Sequence, residues 1–244
     1  MSAASIPDDL FAAPAPDRSF VISRSQLEMY RKCPRCFWLR KRHGIEQPDS
    51  FPFTLNNAVD FLVKRSFDGY RRRGELPPML QAHGLNAKLF SDQQKLDEWR
   101  NNRKGIRWTD PLTGVTLYGA VDDILEFPDG SLAVIDYKAS GSADGKVYPS
   151  YQFQLETYTY LLQRLGFKTA PTGYLAYFLA VKDQEFEGQL PFRMVVREAE
   201  LNPAGVADYF RAAVELSQSD RVPASGEECD LCRFVGETLP VIKC

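Results

Sequence analysis

Apolar positions recur along this chain with two different periods, and the change between them divides it. The first stretch is helical. Ser25-Gln-Leu-Glu28 has the form of a capping box, and Leu27, Tyr30 and Arg31 begin a helix expected to run towards Cys33, where Pro34 can break it. Residues 48–54, with Pro48 and Pro52, read as a connector. Val59, Leu62, Val63, Phe67 and Tyr70 form one stripe of a helix expected over residues 56–73, closed by Pro77 and Pro78. Another helix is expected over residues 91–101.

Beyond Gly105 the period shortens to two. Residues 105–108, 116–127 and 132–138 read as strands, and 140–149 as a loop of Gly, Ser, Asp and Pro. Residues 150–165 return to helix, with Tyr151, Leu155, Tyr158 and Leu162 on one face. Strands are expected over 173–181 and 192–197, and a helix over 203–218. The expected class is α/β, with α+β as the open alternative. It would have a central mixed sheet, containing an antiparallel hairpin, flanked by helices. The expected organisation is a flexible leader over 1–20, a single domain over 21–235 and a tail over 236–244.

Composition changes this picture little. The chain has 244 residues, 44% hydrophobic and 25% charged, an ordinary globular mix. No apolar run approaches the roughly 18 residues of a membrane helix, so no membrane partner is expected. The start of the chain lacks a basic segment followed by an apolar one, which makes the cytoplasm the default location. Disulfides rarely persist there, so paired cysteines favour metal binding or redox work. The net charge of −2 gives no global attraction to nucleic acid. Locally, Arg31, Lys32, Arg35, Arg40 and Lys41, joined by Arg42, crowd one segment, and Lys64, Arg65, Arg71, Arg72 and Arg73 another. Such a run suits either a phosphate-contacting surface or a solvated helix face.

The sharper chemistry lies in the hairpin. Pro128-Asp129-Gly130 is a three-residue turn, with Gly in the left-handed position. If Phe127 faces Ser131, stepping one residue back against one residue forward sets Asp122 opposite Asp136. Directly opposed like charges are destabilising unless a cation lies between them. Asp136 and Lys138 are two apart and share a face, while Asp123 points the other way. Two acids and an amine converging on an apolar face suit a hard cation such as Mg²⁺ or Mn²⁺ and metal-assisted hydrolysis. The bland alternative is a surface ion pair between Asp136 and Lys138.

Two thiol pairs sit near the chain's ends: Cys33-Pro-Arg-Cys36 and Cys229-Asp-Leu-Cys232. Each has metal-chelating spacing, and together they make a four-thiolate site for zinc or an iron–sulfur cluster. Replacing Cys36 by the fifth cysteine, Cys244, is the other possible set. The histidines His43 and His83 sit in loop-like contexts and carry no expected chemistry.

Several of these pieces resemble the PD-(D/E)XK nuclease superfamily, in its RecB-like branch. They are Gly119-Ala-Val-Asp122, Ile135-Asp136-Tyr137-Lys138 and Gln152-Phe-Gln154-Leu-Glu-Thr-Tyr158. Ser25-Gln-Leu, Tyr30 and Cys33-Pro-Arg35 are similar to the opening of its iron–sulfur members. The resemblance implies a restriction-endonuclease-like core and a DNA nuclease serving repair, recombination or related processing, with a helicase as possible partner. Asp122 and Asp136 would be metal ligands, joined by the Tyr137 carbonyl, and Lys138 the catalytic lysine. Gln154 and Tyr158 would support the site. A [4Fe–4S] cluster is implied for the thiols, with Zn²⁺ as the alternative. That cluster usually draws on one early and three late cysteines, whereas this chain has two and two. The early helix also lacks the family's metal-binding His, and Asp60 is its candidate substitute. A catalytically inactive nucleic-acid-binding module of the same fold is the alternative function. A cysteine redox or zinc-ribbon protein is a third.

Overall fold

The structure, a computed structural model, describes residues 21–48, 54–141, 144–185 and 187–242. The expected leader over 1–20, most of the connector, and Cys244 lie outside the described residues. Along the chain come β1 (Val21–Ser23), α1 (Arg24–Lys32), α2 (Pro34–His43), α3 (Thr54–Arg73), α4 (Pro78–Ala82), β2 (Lys88–Leu89) and α5 (Gln93–Arg100). Then follow β3 (Ile106–Thr109), β4 (Thr116–Gly119), β5 (Asp123–Glu126), β6 (Leu132–Ser140) and α6 (Pro149–Arg164). The chain continues through β7 (Thr172–Ala180), β8 (Phe192–Glu200), α7 (Ala204–Gln218) and α8 (Asp230–Ile242). They fall into two compact units: Met1–Ser50 with Tyr209–Cys244, and Phe51–Asp208.

In the first unit the capping box is present but belongs to Ser23, two residues before the expected one. Ser23 Oγ accepts from Gln26 N, and Gln26 Oε1 accepts from Ser23 N, both at 3.1 Å. Glu28 turns instead to Arg31 at 2.9 Å and Lys32 at 3.5 Å. Pro34 does break the helix: Cys33 is extended (φ −154°), and Pro34 starts α2 at a position where its missing N–H has no helical partner to lose. The segment expected as tail is helical over 236–242 as the second half of α8. His43 likewise ends α2 rather than a loop, its ring edge-on to Trp38 at 4.7 Å.

The second unit is built on a five-stranded mixed sheet, ordered β2-β5-β6-β7-β8. β6 and β7 run parallel, joined through α6, while the other neighbours are antiparallel. The hairpin register follows the turn chemistry. Gly130 takes φ 78°, Phe127 N donates to Ser131 O at 2.9 Å, and Asp123 pairs with Ile135 and Glu126 with Leu132. Val59, Val63 and Phe67 of α3 pack on the face of the sheet bearing Leu125, Ala133, Ile135 and Tyr137. Leu62, expected in that stripe, is exposed, because the buried line advances in steps of four to Arg71.

The expected single strand over 116–127 is broken at 120–122. β4 pairs with β3, whereas β5 joins the main sheet. The break has a cause outside the segment. Val121 N donates to Trp99 O at 3.2 Å, and Arg100 Nε donates to Asp122 O at 2.6 Å, so the end of α5 takes up the backbone groups that a ladder would use.

Candidate functional site

Asp122 sits just ahead of β5, at the end of the hairpin away from the turn, where the register places it across from Asp136. Its Oδ2 accepts the Tyr137 amide at 2.9 Å, which fixes the carboxylate beside β6. Its Oδ1 meets Lys64 Nζ at 2.8 Å, and the same ammonium reaches Asp60 Oδ2 at 2.8 Å. Burial works against the Lys64 charge, but Asp122 and Asp60 outweigh it and hold its pKa above the usual lysine value.

Asp136 is almost wholly buried, with 2% of its surface exposed. Gln154 Nε2 donates to Oδ1 at 2.8 Å. Oδ2 lies 2.5 Å from Lys138 Nζ as an ion pair, yet no group is aligned to donate it a hydrogen bond. Burial, and then the charge of Asp122, push its pKa up to about 7, against the pull of Lys138. Lys138 is held from two further sides. It donates to Gln154 Oε1 at 3.1 Å, and it lies 4.4 Å from the Tyr151 ring centroid. Gln154 therefore bridges acid and amine with its two amide atoms, and its Nε2 lies 3.4 Å from Tyr158 Oη. Gln154 and Tyr158, one turn apart on α6, are both buried. A cleft of about 230 Å³ opens here, lined by Asn56, Asp60, Tyr137, Lys138 and Tyr151 among others.

The structure thus brings Asp122, Asp136, Lys138, Gln154 and Tyr158 together, with Asp60 joined through Lys64. Tyr137 contributes its amide here, while its ring points to the other face of the hairpin and donates to Asp123 Oδ2 at 2.7 Å. Two neighbouring carboxylates, one of them buried with a raised pKa, are a donor set suited to a hard divalent cation, which prefers oxygen ligands.

In the first unit the four thiols converge. Cys33 Sγ lies 3.7 Å from Cys232 Sγ, and Cys36 Sγ lies 3.6 Å from both Cys229 and Cys232. All four sulfurs are within 4.8 Å of one another, which suits a metal centre. Burial raises the Cys33 pKa, but N–H donors from Gly226 and Cys36 bring the thiol down to about 7. The neighbouring cations are largely engaged. Arg31 pairs with Glu28, Arg40 with Glu46 at 3.0 Å, and Arg35 Nε donates to Pro223 O at 3.0 Å. Lys32 remains mostly exposed. Lys41 does not serve a phosphate surface: it is 3% exposed, and its ammonium donates to Val21 O at 2.8 Å.

Sequence reasoning missed three contributors. Lys64 had a usable signal, since Asp60 and Lys64 are one helical turn apart. Arg100, which holds the Asp122 carbonyl, had none. Gly226 had none either: its N–H donates to Cys33 Sγ at 3.2 Å, and a Cβ there would fall 1.9 Å from Lys32 O.

A sequence model of the PD-(D/E)XK nuclease superfamily matches residues 55–236. Among curated proteins, none matches the chain significantly. Similar solved structures include one described as SSO0001, with a TM-score of 0.42 and 15% identity, covering 90% of this chain and 86% of that one. Another is LHK-Exo in complex with dAMP, with a TM-score of 0.39 and 10% identity, covering 90% of each chain.

Proposed function

Because the chain belongs to the PD-(D/E)XK nuclease superfamily, whose model spans residues 55–236, we propose that it is a metal-dependent DNA nuclease hydrolysing phosphodiester bonds. The observation that carries this reading is the buried Asp136 beside Asp122 and Lys138, its pKa raised by burial and by the second carboxylate. In this reading Asp122 and Asp136 hold Mg²⁺ or Mn²⁺, with the Tyr137 carbonyl as a further ligand. Such a cation, when bound, supplies positive charge against the phosphoryl oxygens and acidifies the attacking water. Lys138 orients that water and offsets charge growing on the phosphate. Gln154 keeps Lys138 and Asp136 in register, so that the amine is aimed before substrate arrives. Tyr158 backs Gln154, and Asp60 neutralises Lys64. Arg31, Lys32, Arg35 and Arg40 remain candidates for backbone contacts. The branch is RecB-like, serving DNA repair, recombination or related processing alongside a helicase. No helix among the described residues is long and apolar enough to cross a membrane.

One observation favours a second reading, an inactive nucleic-acid-binding module of this fold. The Lys64 ammonium lies on Asp122 Oδ1, a position from which a built-in cation can neutralise the carboxylate. Incubating the purified chain with labelled single- and double-stranded DNA and Mg²⁺ or Mn²⁺ separates the two. Cleavage abolished by Asp136→Ala and Lys138→Ala supports the nuclease. Salt-sensitive binding without cleavage supports the module. Cleavage undiminished in both variants eliminates the site.

A further inference from the structure

We propose that the four-thiolate cluster of the first unit binds one tetrahedral zinc ion, and not the [4Fe–4S] cluster that the family resemblance implies. The inference is independent of the nuclease reading, since the carboxylate site takes no part in it.

The argument is one of size. Zinc–thiolate bonds are about 2.3 Å, so four sulfurs at the corners of a tetrahedron around one ion stand about 3.8 Å apart. Three of the sulfur separations here are 3.6, 3.6 and 3.7 Å, and no pair exceeds 4.8 Å. A cubane places an iron at each of four corners and points its thiolates outward, so cysteine sulfurs on it stand on the order of 6 Å apart. This cage is too small to surround one. A [2Fe–2S] core fits no better, because it brings sulfurs together in two separate pairs. Here the short contacts form a connected chain, Cys33 to Cys232 to Cys36 to Cys229, which is the pattern of ligands sharing a single centre.

The surrounding backbone sets the same dimension. Pro34 leaves Cys33 extended while Cys36 lies inside α2, so the two sulfurs of the early pair face one point. Gly226 is seated directly on the Lys32–Cys33 peptide, where a Cβ would lie 1.9 Å from Lys32 O and 3.2 Å from Cys33 Cα. Its N–H donates to Cys33 Sγ at 3.2 Å, an outer hydrogen bond that orients a thiolate ligand. Between single ions, an all-thiolate tetrahedron suits zinc, which also binds more tightly than iron(II) in the divalent series.

The test is metal and sulfide analysis of the full chain, purified without oxygen from cells supplied with both zinc and iron. About one zinc per chain, no acid-labile sulfide and no absorbance band near roughly 400 nm are expected. Iron with sulfide in a brown protein overturns the proposal, as does one iron per chain without sulfide. Cys36→Ser is expected to lose the ion. Because that variant can also misfold, cobalt exchange into the unaltered protein gives a second reading. Strong visible bands of tetrahedral thiolate-bound cobalt support the proposal, and the faint spectrum of six-coordinate cobalt overturns it. Gly226→Ala is expected to weaken zinc about 10–100-fold in a chelator competition. Unchanged affinity would overturn the role given to its close seating on the Lys32–Cys33 peptide.

Discussion

Asp122 and Asp123 are neighbours in sequence, yet they face opposite sides of one hairpin and meet opposite treatment. Asp123 is fully buried and fully satisfied. It pairs with Arg71, accepts from Arg100 at 2.8 Å and from the Tyr137 hydroxyl at 2.7 Å, and takes its neighbour Ile124 N at 2.8 Å. Asp68 completes the network by pairing with both arginines. On the other side Asp136, just as deep, has one amide donor on Oδ1 and only the Lys138 ammonium on Oδ2, and stands near a second carboxylate. The two sides draw on the same residue types. Where every lone pair has its donor, the cluster ties α3, α5, β5 and β6 together. Where the donors are fewer, burial and the neighbouring carboxylate raise the pKa of Asp136, and that cost is held in place by the satisfied side behind it.

The contrast breaks most decisively at Asp123. Asp123→Ala leaves Arg71 and Arg100 buried without their shared partner, and about 3–5 kcal/mol of unfolding free energy should vanish in a denaturant titration. A loss below about 1 kcal/mol would mean the network is not holding the hairpin. Next in size, Asp136→Asn should cut Mg²⁺- or Mn²⁺-dependent DNA cleavage by about 10²–10³-fold while raising the melting temperature of the metal-free protein above neutral pH. A variant that loses stability along with activity would place Asp136 with the satisfied side instead.

The pH dependence sharpens the same point. The folded pKa of Asp136 is about 7, above the unfolded value of about 3.9. Between these values the native state keeps a proton that the unfolded chain has released. The metal-free protein should therefore lose stability as pH rises from about 4 to about 7, and stay low above that. Melting curves across this window should show the fall, added Mn²⁺ should reverse it, and Asp136→Asn should flatten it. The smallest effect belongs to Gln154. Gln154→Leu removes the bridge between Asp136 and Lys138 and should slow cleavage about tenfold, near 1.4 kcal/mol, with little change in DNA affinity. An equal weakening of affinity would give Gln154 a role in binding DNA rather than in aiming Lys138.

Local rules carried the sequence reading where contacts are local. Pro128-Asp129-Gly130 set the turn, the turn set the register, and the register put Asp122 across from Asp136 with Asp123 turned away. The family resemblance, rather than spacing, singled out Gln154 and Tyr158, and the two thiol pairs announced a common centre that the structure assembles. Only the tertiary structure decided what those residues meet. The strand breaks before Asp122 because the end of α5, distant in sequence, takes its backbone groups. Lys64 settles on Asp122, Gln154 is buried between acid and amine, and Lys41 is drawn inside although its neighbours in sequence are surface cations. Hydrophobic period and turn chemistry act within a few residues, so they can be read along the chain. The partner of a charge is chosen by whichever distant segment packs against it, and no local pattern records that choice.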